Sequence, residues 1–342
     1  MKRFTALVFT VMMLCCLMSG TVLAENKKVR IVATIFPIYD WVREIAGDRA
    51  EITMLMDSGV DLHSFQPTAQ DILTISTADL FIYVGGESDE WVEDVLKTAM
   101  NPELRSISLL EALGSDVKME ELVEGMEHEH DHGDGEHEHE DEENEQHDDH
   151  DHDGEKHDHE HEEEEADEHV WLSLRNARVL CHVIADMLSK IDPGSADIFH
   201  ANLADYETRL AALDAEYAEM TGGAAYHTVL FGDRFPFRYL VDDYGLDYYA
   251  AFSGCSAESE ASFETIIFLA GKVDELNLPA VLTIEGANHR IAETVAGATA
   301  AKNQRILTMN SMQSVTAQGL SEGLSYMSVM QDNLETLRQA LN

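Results

Sequence analysis

The sequence predicts an α/β protein of two (β/α) lobes, each built on a parallel sheet and joined to the other by a long connecting helix. Three observations lead there. At 342 residues the chain is long enough for two domains, each with its own core. Short β-branched runs alternate with helical patterns in both the leading and the trailing part of the chain, and such alternation marks parallel sheets. Between the two parts lie a tract nearly without apolar residues and then a stretch of sustained helical periodicity.

The elements follow in order. Lys2 and Arg3, the apolar run Ala6 to Met18 and the small residues around Val22-Leu23-Ala24 read as a secretory leader, so residues 1–24 are expected to be a signal peptide. Cys15 follows Leu14 and Cys16 follows Cys15, so neither has the small preceding residue a lipidation site needs. No later apolar run approaches membrane-spanning length. Residues 25–116 are expected to form the first lobe: a strand over Val29 to Ile35, a helix begun by Pro37, a strand over Glu51 to Met56, and a polar turn carrying His63. Helical patterns over Thr68 to Ala78 and Glu90 to Met100 then alternate with strands over Asp79 to Val84 and Arg105 to Ser108.

Residues 117–168 are expected to be a disordered loop. From Gly125 onward they are almost entirely His, Asp and Glu, and eleven of the 17 histidines fall there. With no apolar face the tract cannot offset the entropy of ordering itself. Imidazoles interleaved with carboxylates are a compositional signal for Zn²⁺ and similar borderline metals. The tract also carries about half of the net charge of −44, and the remainder is still acidic. A chain with no basic stripe does not bind nucleic acid through its phosphates, so cations are the natural partners.

Residues 169–222 are expected to close the first lobe and form the connecting helix, bent at Pro193. Residues 223–342 repeat the alternation. Strands are predicted over Tyr226 to Phe231, Leu246 to Phe252, Ala280 to Glu285 and Arg305 to Met309. Helices are predicted over Pro236 to Tyr244, Ser262 to Leu276, His289 to Thr299 and Leu320 to Leu341. Ligands of open parallel sheets sit at the carboxyl ends of the strands, which directs attention to His63, Asp233, Ser253, Glu285 and Asn310. Of the mature cysteines, Cys181 and Cys255, a disulfide is one reading and a buried free Cys181 the other. The chain has no helical H-E-x-x-H pair, G-x-S-x-G elbow or P-loop, so no enzyme is expected.

The segments ATIFPIYDWVREIAGD, DLHSFQPTAQDI, EHVWLSLRNA and LSYMSVMQDNLETLRQAL, in this order, resemble the zinc/manganese-binding solute receptors of ABC transporters. The likeness covers nearly the whole mature chain, and an acidic His-rich insert before the second His is typical of the zinc-handling members. The resemblance implies a metal held between the lobes and handed to a membrane permease with a cytoplasmic ATPase. The receptor would be a monomer at the periplasmic or extracellular face of the envelope. It places the first ligand on His63 and the second on His169. The third position, aligned on Phe237 and Tyr239, falls on Arg234, and a guanidinium cannot ligate. Asp233 is the nearest carboxylate. The fourth aligns with Asn310, whose neutral amide is a weak zinc ligand. Glu285, His289 or His227 could complete the set, while Cys255, Glu258 and Glu260 read as loop and helix-cap residues. Two His ligands favour Zn²⁺ over Mg²⁺ or Ca²⁺. Two added carboxylates would admit Mn²⁺, and the insert tips the balance to zinc. The alternatives are a Mn²⁺ receptor of the same family, an adhesin, or an extracellular metal buffer.

Overall fold

The computed structural model describes residues 28–126, 165–256, 260–286 and 289–342. The leader and most of the acidic tract lie outside the described residues. The two predicted alternations form two four-stranded sheets, parallel throughout. The first has the order β2-β1-β3-β4, from β1 (Val29–Ala33), β2 (Ala50–Met54), β3 (Leu80–Tyr83) and β4 (Arg105–Ser108). The second repeats the design as β6-β5-β7-β8, from β5 (Thr228–Phe235), β6 (Asp247–Ser253), β7 (Ala280–Ile284) and β8 (Arg305–Met309). In each sheet the second strand lies outside the first and the third returns to its other side. That reversal opens a crevice at the carboxyl ends of the strands.

Both faces of each sheet are covered, as near-continuous apolar strands such as LFIY and AVLTI require. On the outer face of the first sheet, Val32 and Phe81 pack under α2 (Ala69–Thr77) and α3 (Trp91–Lys97). A capping box between Thr68 and Asp71 starts α2. On the outer face of the second sheet, Leu230, Ala251 and Val281 pack under α8 (Phe263–Leu276) and α9 (Arg290–Ala298). The inner faces share one core instead of having separate ones. A continuous apolar cluster runs from Val29 to Leu341 through α1 (Phe36–Ala46), α5 (Leu174–Ile191), α6 (Ala196–Gly222) and α11 (Tyr326–Ala340).

The connector differs from the expected single bent helix. A 3-10 turn at Pro193–Ser195 separates α5 from α6, and the two helices pack side by side in opposite directions. Arg178 and His182 on α5 pair with Glu207 on α6, and Ser189 meets His200. Asp192-Pro193-Gly194 ends one helix and turns the chain, where a lone Pro would have kinked it. The spanning element is thus α6, with 27 residues and a length of roughly 40 Å at 1.5 Å per residue.

The ends of the expected disordered loop are ordered. Met119 and Ala166 form an antiparallel bridge, Glu120 N donates to Glu165 O at 2.8 Å, and Asp167 N donates to Lys118 O at 2.9 Å. The hydroxyl of Tyr239, on α7 (Arg238–Tyr244), accepts from Lys118 N at 3.0 Å and donates to Asp167 O at 2.8 Å. One second-lobe aromatic residue therefore holds both strands of the neck. The remaining elements are α4 (Leu109–Leu113) and α10 (Ala317–Ser321). Among the described residues no helix is long and apolar enough to cross a membrane.

Candidate metal centre

Two first-lobe turns bring His63 and His169 together. His63 lies in the 3-10 turn Leu62–Ser64 that follows β2, and the N-cap Asp61 accepts from its backbone N–H at 3.1 Å. His169 precedes the turn Val170–Leu172 and is fully buried. Asp167 Oδ1 accepts from both the His169 backbone N–H, at 2.9 Å, and its Nδ1, at 2.8 Å, which fixes chain and ring with one atom. The proton is then on Nδ1, and Nε2 keeps a free lone pair.

His63 is set the same way. Its Nδ1 lies 2.9 Å from Ser88 Oγ and 3.7 Å from Glu168 Oε2, and the Ser88 backbone N–H donates to Glu168 Oε1 at 2.9 Å. With Nδ1 donating to that hydroxyl, His63 Nε2 keeps its lone pair, as His169 Nε2 does. Both Nε2 atoms thus face inward bearing lone pairs, 3.4 Å apart. Two nitrogens bound tetrahedrally to one Zn²⁺ at ~2.0–2.1 Å would stand about 3.3–3.4 Å apart. Burial, followed by the neighbouring His169, lowers the pKa of His63 to about 3 and keeps it neutral. Burial also raises the pKa of Glu168.

The second lobe contributes the opposite wall. The Gln313 amide reaches both imidazoles, with Nε2 2.5 Å from His169 Nε2 and 3.3 Å from His63 Nε2. The donor atoms of His63, His169 and Cys255 all lie within 4.8 Å of one another. Cys255 and Cys181 are both free thiols, and burial pushes the pKa of each upward.

The other residues suggested by the sequence make hydrogen bonds or line clefts near the two histidines. Asp233 accepts from Arg234 N and Ile284 N. The Glu285 carboxylate accepts from Ser311 N, Ser311 Oγ and Gln313 N at 2.6, 2.7 and 3.2 Å. Asn310 Oδ1 accepts from Met312 N, while its backbone N–H and carbonyl bond to the Asn333 side chain. Asp233, Glu285 and His289 line a cleft of about 760 Å³ that also reaches His63, but they stand outside the donor cluster. His227 precedes β5, at the opposite end of the sheet, where its carbonyl accepts from Asp247 N. Ser253 ends β6 beside a second cleft, of about 400 Å³. Glu87, Glu120, Glu165 and Glu168 line this cleft, so the way in to Cys255 is acidic. Glu258 lies outside the described residues.

Sequence reasoning passed over Cys255 and Gln313 as site residues. The strand-end rule could have found Cys255, which follows the carboxyl end of β6 by two residues. Gln313 belongs to an irregular loop after β8, where Met312 takes a positive φ of 64°, and no motif marks it.

The family model for zinc-uptake complex component A, periplasmic, matches residues 31–340. The chain belongs to this family. Among its relatives, the zinc-binding protein AdcA of Streptococcus pyogenes is 30% identical over 317 residues, covering 93% of this chain and 56% of that protein. This family member thus spans little more than half the length of the AdcA relatives it matches. The high-affinity zinc uptake system protein ZnuA of Bacillus subtilis is 27% identical over 322 residues, covering 94% of this chain and 90% of that protein. The crystal structure of the Zn(II)-bound ZnuA-like domain of Streptococcus pneumoniae AdcA superposes with a TM-score of 0.67 at 27% identity. It covers 92% of this chain and 99% of that one. The two-lobe α/β fold with its connecting helix is therefore that of the family.

Proposed function

We propose that the protein is an extracytoplasmic receptor that captures Zn²⁺ between its lobes and presents it to the permease of an ABC importer. The observation that carries this reading is the convergence of His63 Nε2 and His169 Nε2 at 3.4 Å, each ring oriented through its Nδ1. Imidazoles held this way are the usual donors for zinc, and the orienting partners raise their basicity. The names of AdcA and ZnuA support the choice of metal. The protein would act as a carrier and not as an enzyme.

Capture and delivery require only a modest change of shape. The lobes are tied near the site by Trp171 Nε1 donating to Ser311 O at 2.8 Å and Tyr326 OH donating to Trp171 O at 2.7 Å. The shared core continues the tie along α6. A bound metal then selects a more rigid arrangement of the 311–313 loop and the His-bearing turns, which a permease can read. The acidic cleft draws cations toward the site. The His-rich tract would hold further zinc weakly near its ordered neck, as a tethered second ligand set does.

Metal content and competition titration against a chromogenic chelator test the reading. The wild type should hold one tightly bound Zn²⁺, and His63→Ala and His169→Ala should each lose it. Deleting residues 127–164 should keep the tight site and remove only weak additional binding. Tight zinc retained by both His variants would end the proposal. Tighter retention of Mn²⁺ than Zn²⁺ would favour the manganese alternative.

A further inference from the structure

We infer that Cys255 is the second lobe's metal donor, completing a His₂Cys set whose sulfur favours Zn²⁺ over Mn²⁺. The inference rests on the zinc-receptor reading and adds the donor that the resemblance leaves unassigned. At the position where the resemblance expects a ligand stands Arg234, whose guanidinium has no lone pair to offer. It serves instead as a clip. Arg234 Nη2 donates to Asp61 Oδ2 at 2.7 Å and Nη1 donates to Ser256 O at 3.3 Å. Asp61 is the residue that caps the turn bearing His63, and Ser256 is the neighbour of Cys255. One side chain thus ties the first-lobe turn of His63 to the second-lobe loop of Cys255.

The approach of that loop is equally specific. Gly254 passes so close to the His169 ring that an added Cβ would stand 2.8 Å from Cε1 and 3.0 Å from Nδ1. The next residue then places its thiol within 4.8 Å of both imidazole donors. Cys255 N donates to Glu120 Oε1 at 3.1 Å, which anchors the loop to the neck of the acidic tract. Tetrahedral zinc with Zn–N of ~2.0–2.1 Å and Zn–S of ~2.3 Å needs nitrogen and sulfur about 3.6 Å apart. The sulfur therefore has no more than about 1.2 Å to close. As the S–Zn bond forms, the S–H bond breaks and the proton leaves to solvent. A thiolate beside two imidazoles is a soft donor set, whereas Mn²⁺ prefers carboxylate and water oxygen.

The test uses the full chain with Cys15→Ser and Cys16→Ser, so that Cys181 and Cys255 are its only thiols. Cobalt(II) is the probe for sulfur ligation. Its complex should show a near-ultraviolet thiolate-to-metal charge-transfer band that Cys255→Ser abolishes and Cys181→Ser keeps. Zinc affinity, measured by chelator competition, should fall about tenfold or more in Cys255→Ser, with the Zn²⁺ over Mn²⁺ preference shrinking alongside. Should the Ser variant fold poorly, labelling of the unsubstituted Cys255 by N-ethylmaleimide decides, since bound zinc should block it. Tight zinc that depends on His63 and His169, with no band, no protection of Cys255 and undiminished affinity in Cys255→Ser, would overturn the inference and leave the receptor reading standing. Zinc binding indifferent to both His variants would instead overturn the receptor reading itself.

Discussion

Gly254→Ala is the most informative single change the structure offers, because it perturbs the centre without removing any donor. The new methyl would lie 2.8 Å from His169 Cε1, 3.0 Å from His169 Nδ1 and 3.0 Å from Phe235 O. Ordinary carbon contacts are roughly 3.5–4.0 Å, so something must move by about 0.5–1 Å. His169 cannot yield cheaply, since it is fully buried and held twice by Asp167. The displacement therefore falls on the loop after β6 or breaks the bond between Asp167 and the ring. Overpacking of this kind costs about 1–3 kcal/mol. At roughly 2–4 °C per kcal/mol, and less for a chain this long, the midpoint of thermal unfolding should drop by a few degrees. Zinc affinity should drop about 10–100-fold, the usual effect of disturbing a ligand's orientation. Gly271→Ala is the control, because nothing lies within 4 Å of its added Cβ and it sits inside α8. Scanning calorimetry and chelator competition on the two variants give the answer. If Gly254→Ala matched Gly271→Ala in both measurements, the packing of this loop against His169 would not be what shapes the centre.

Three further outcomes follow from the surroundings of the site. Asp167→Ala should lower zinc affinity about 10–100-fold with little loss of fold, because it frees the His169 ring while the backbone bonds of the neck remain; competition titration reads the affinity and circular dichroism the fold. Glu285→Ala should cost about 1–3 kcal/mol in urea denaturation, since it leaves the backbone N–H of the fully buried Ser311 without its acceptor and frees Gln313 N. Glu285→Gln, which keeps one accepting oxygen, should cost less. Asp89 should give the metal-free protein a measurable pH dependence. Its Oδ2 accepts from Val84 N and Gly85 N, and burial, reinforced by Glu168, raises its pKa to about 7. The folded state keeps a proton that the unfolded chain, with a carboxyl pKa of ~3.9, has shed. This contribution is full below about pH 4 and is lost as pH rises through about 7, by at most about 4 kcal/mol. His63, lowered to about 3, works in the other direction and costs stability as pH falls below its unfolded value of ~6.5. The diagnostic is therefore the difference in urea midpoint between wild type and Asp89→Asn, which should widen from pH 4 to pH 7; a constant difference would show that Asp89 does not titrate as described.

The parts of the molecule that sequence could reveal are those governed by period and by local motif. The β-branched runs and their intervening helices are written in neighbouring residues, and all eight strands form where the alternation places them. The polar turn carrying His63 and the end of the acidic tract before His169 could be located for the same reason. What could not be read were choices made at long range. Glu285 and Asp233 stand at strand ends, as expected of ligands, and their oxygens also accept from backbone N–H groups of Ser311, Gln313, Arg234 and Ile284. Apart from Arg234, these donors lie 26 to 51 residues away, so local sequence carries little sign of them. Pro193 signalled an interruption, but whether the chain kinks or turns back depends on the distant apolar partners of α5 and α6 in the shared core.

Cys255 shows the same limit from the other side. In isolation GCSAESE is an ordinary loop, and a thiol two residues past a strand has no chemistry of its own. Its position acquires meaning only when Gly254 lets the chain pass against His169 and Arg234 reaches from a neighbouring strand to hold both loops. The substitution of an arginine at the expected ligand position and the arrival of a sulfur from the adjacent strand are thus linked by geometry. A positive group there would repel a cation unless its charge were spent, and the Asp61 carboxylate at 2.7 Å spends it. Breaking that pair should therefore do more than loosen a loop. Asp61→Asn keeps an oxygen to cap His63 but leaves Arg234 uncompensated beside the metal position, so zinc affinity should fall, and fall further as ionic strength is lowered. Asp61→Asn with Arg234→Gln removes both charges and should recover much of the loss, whereas no recovery in the double variant would show that Asp61 serves only as a cap.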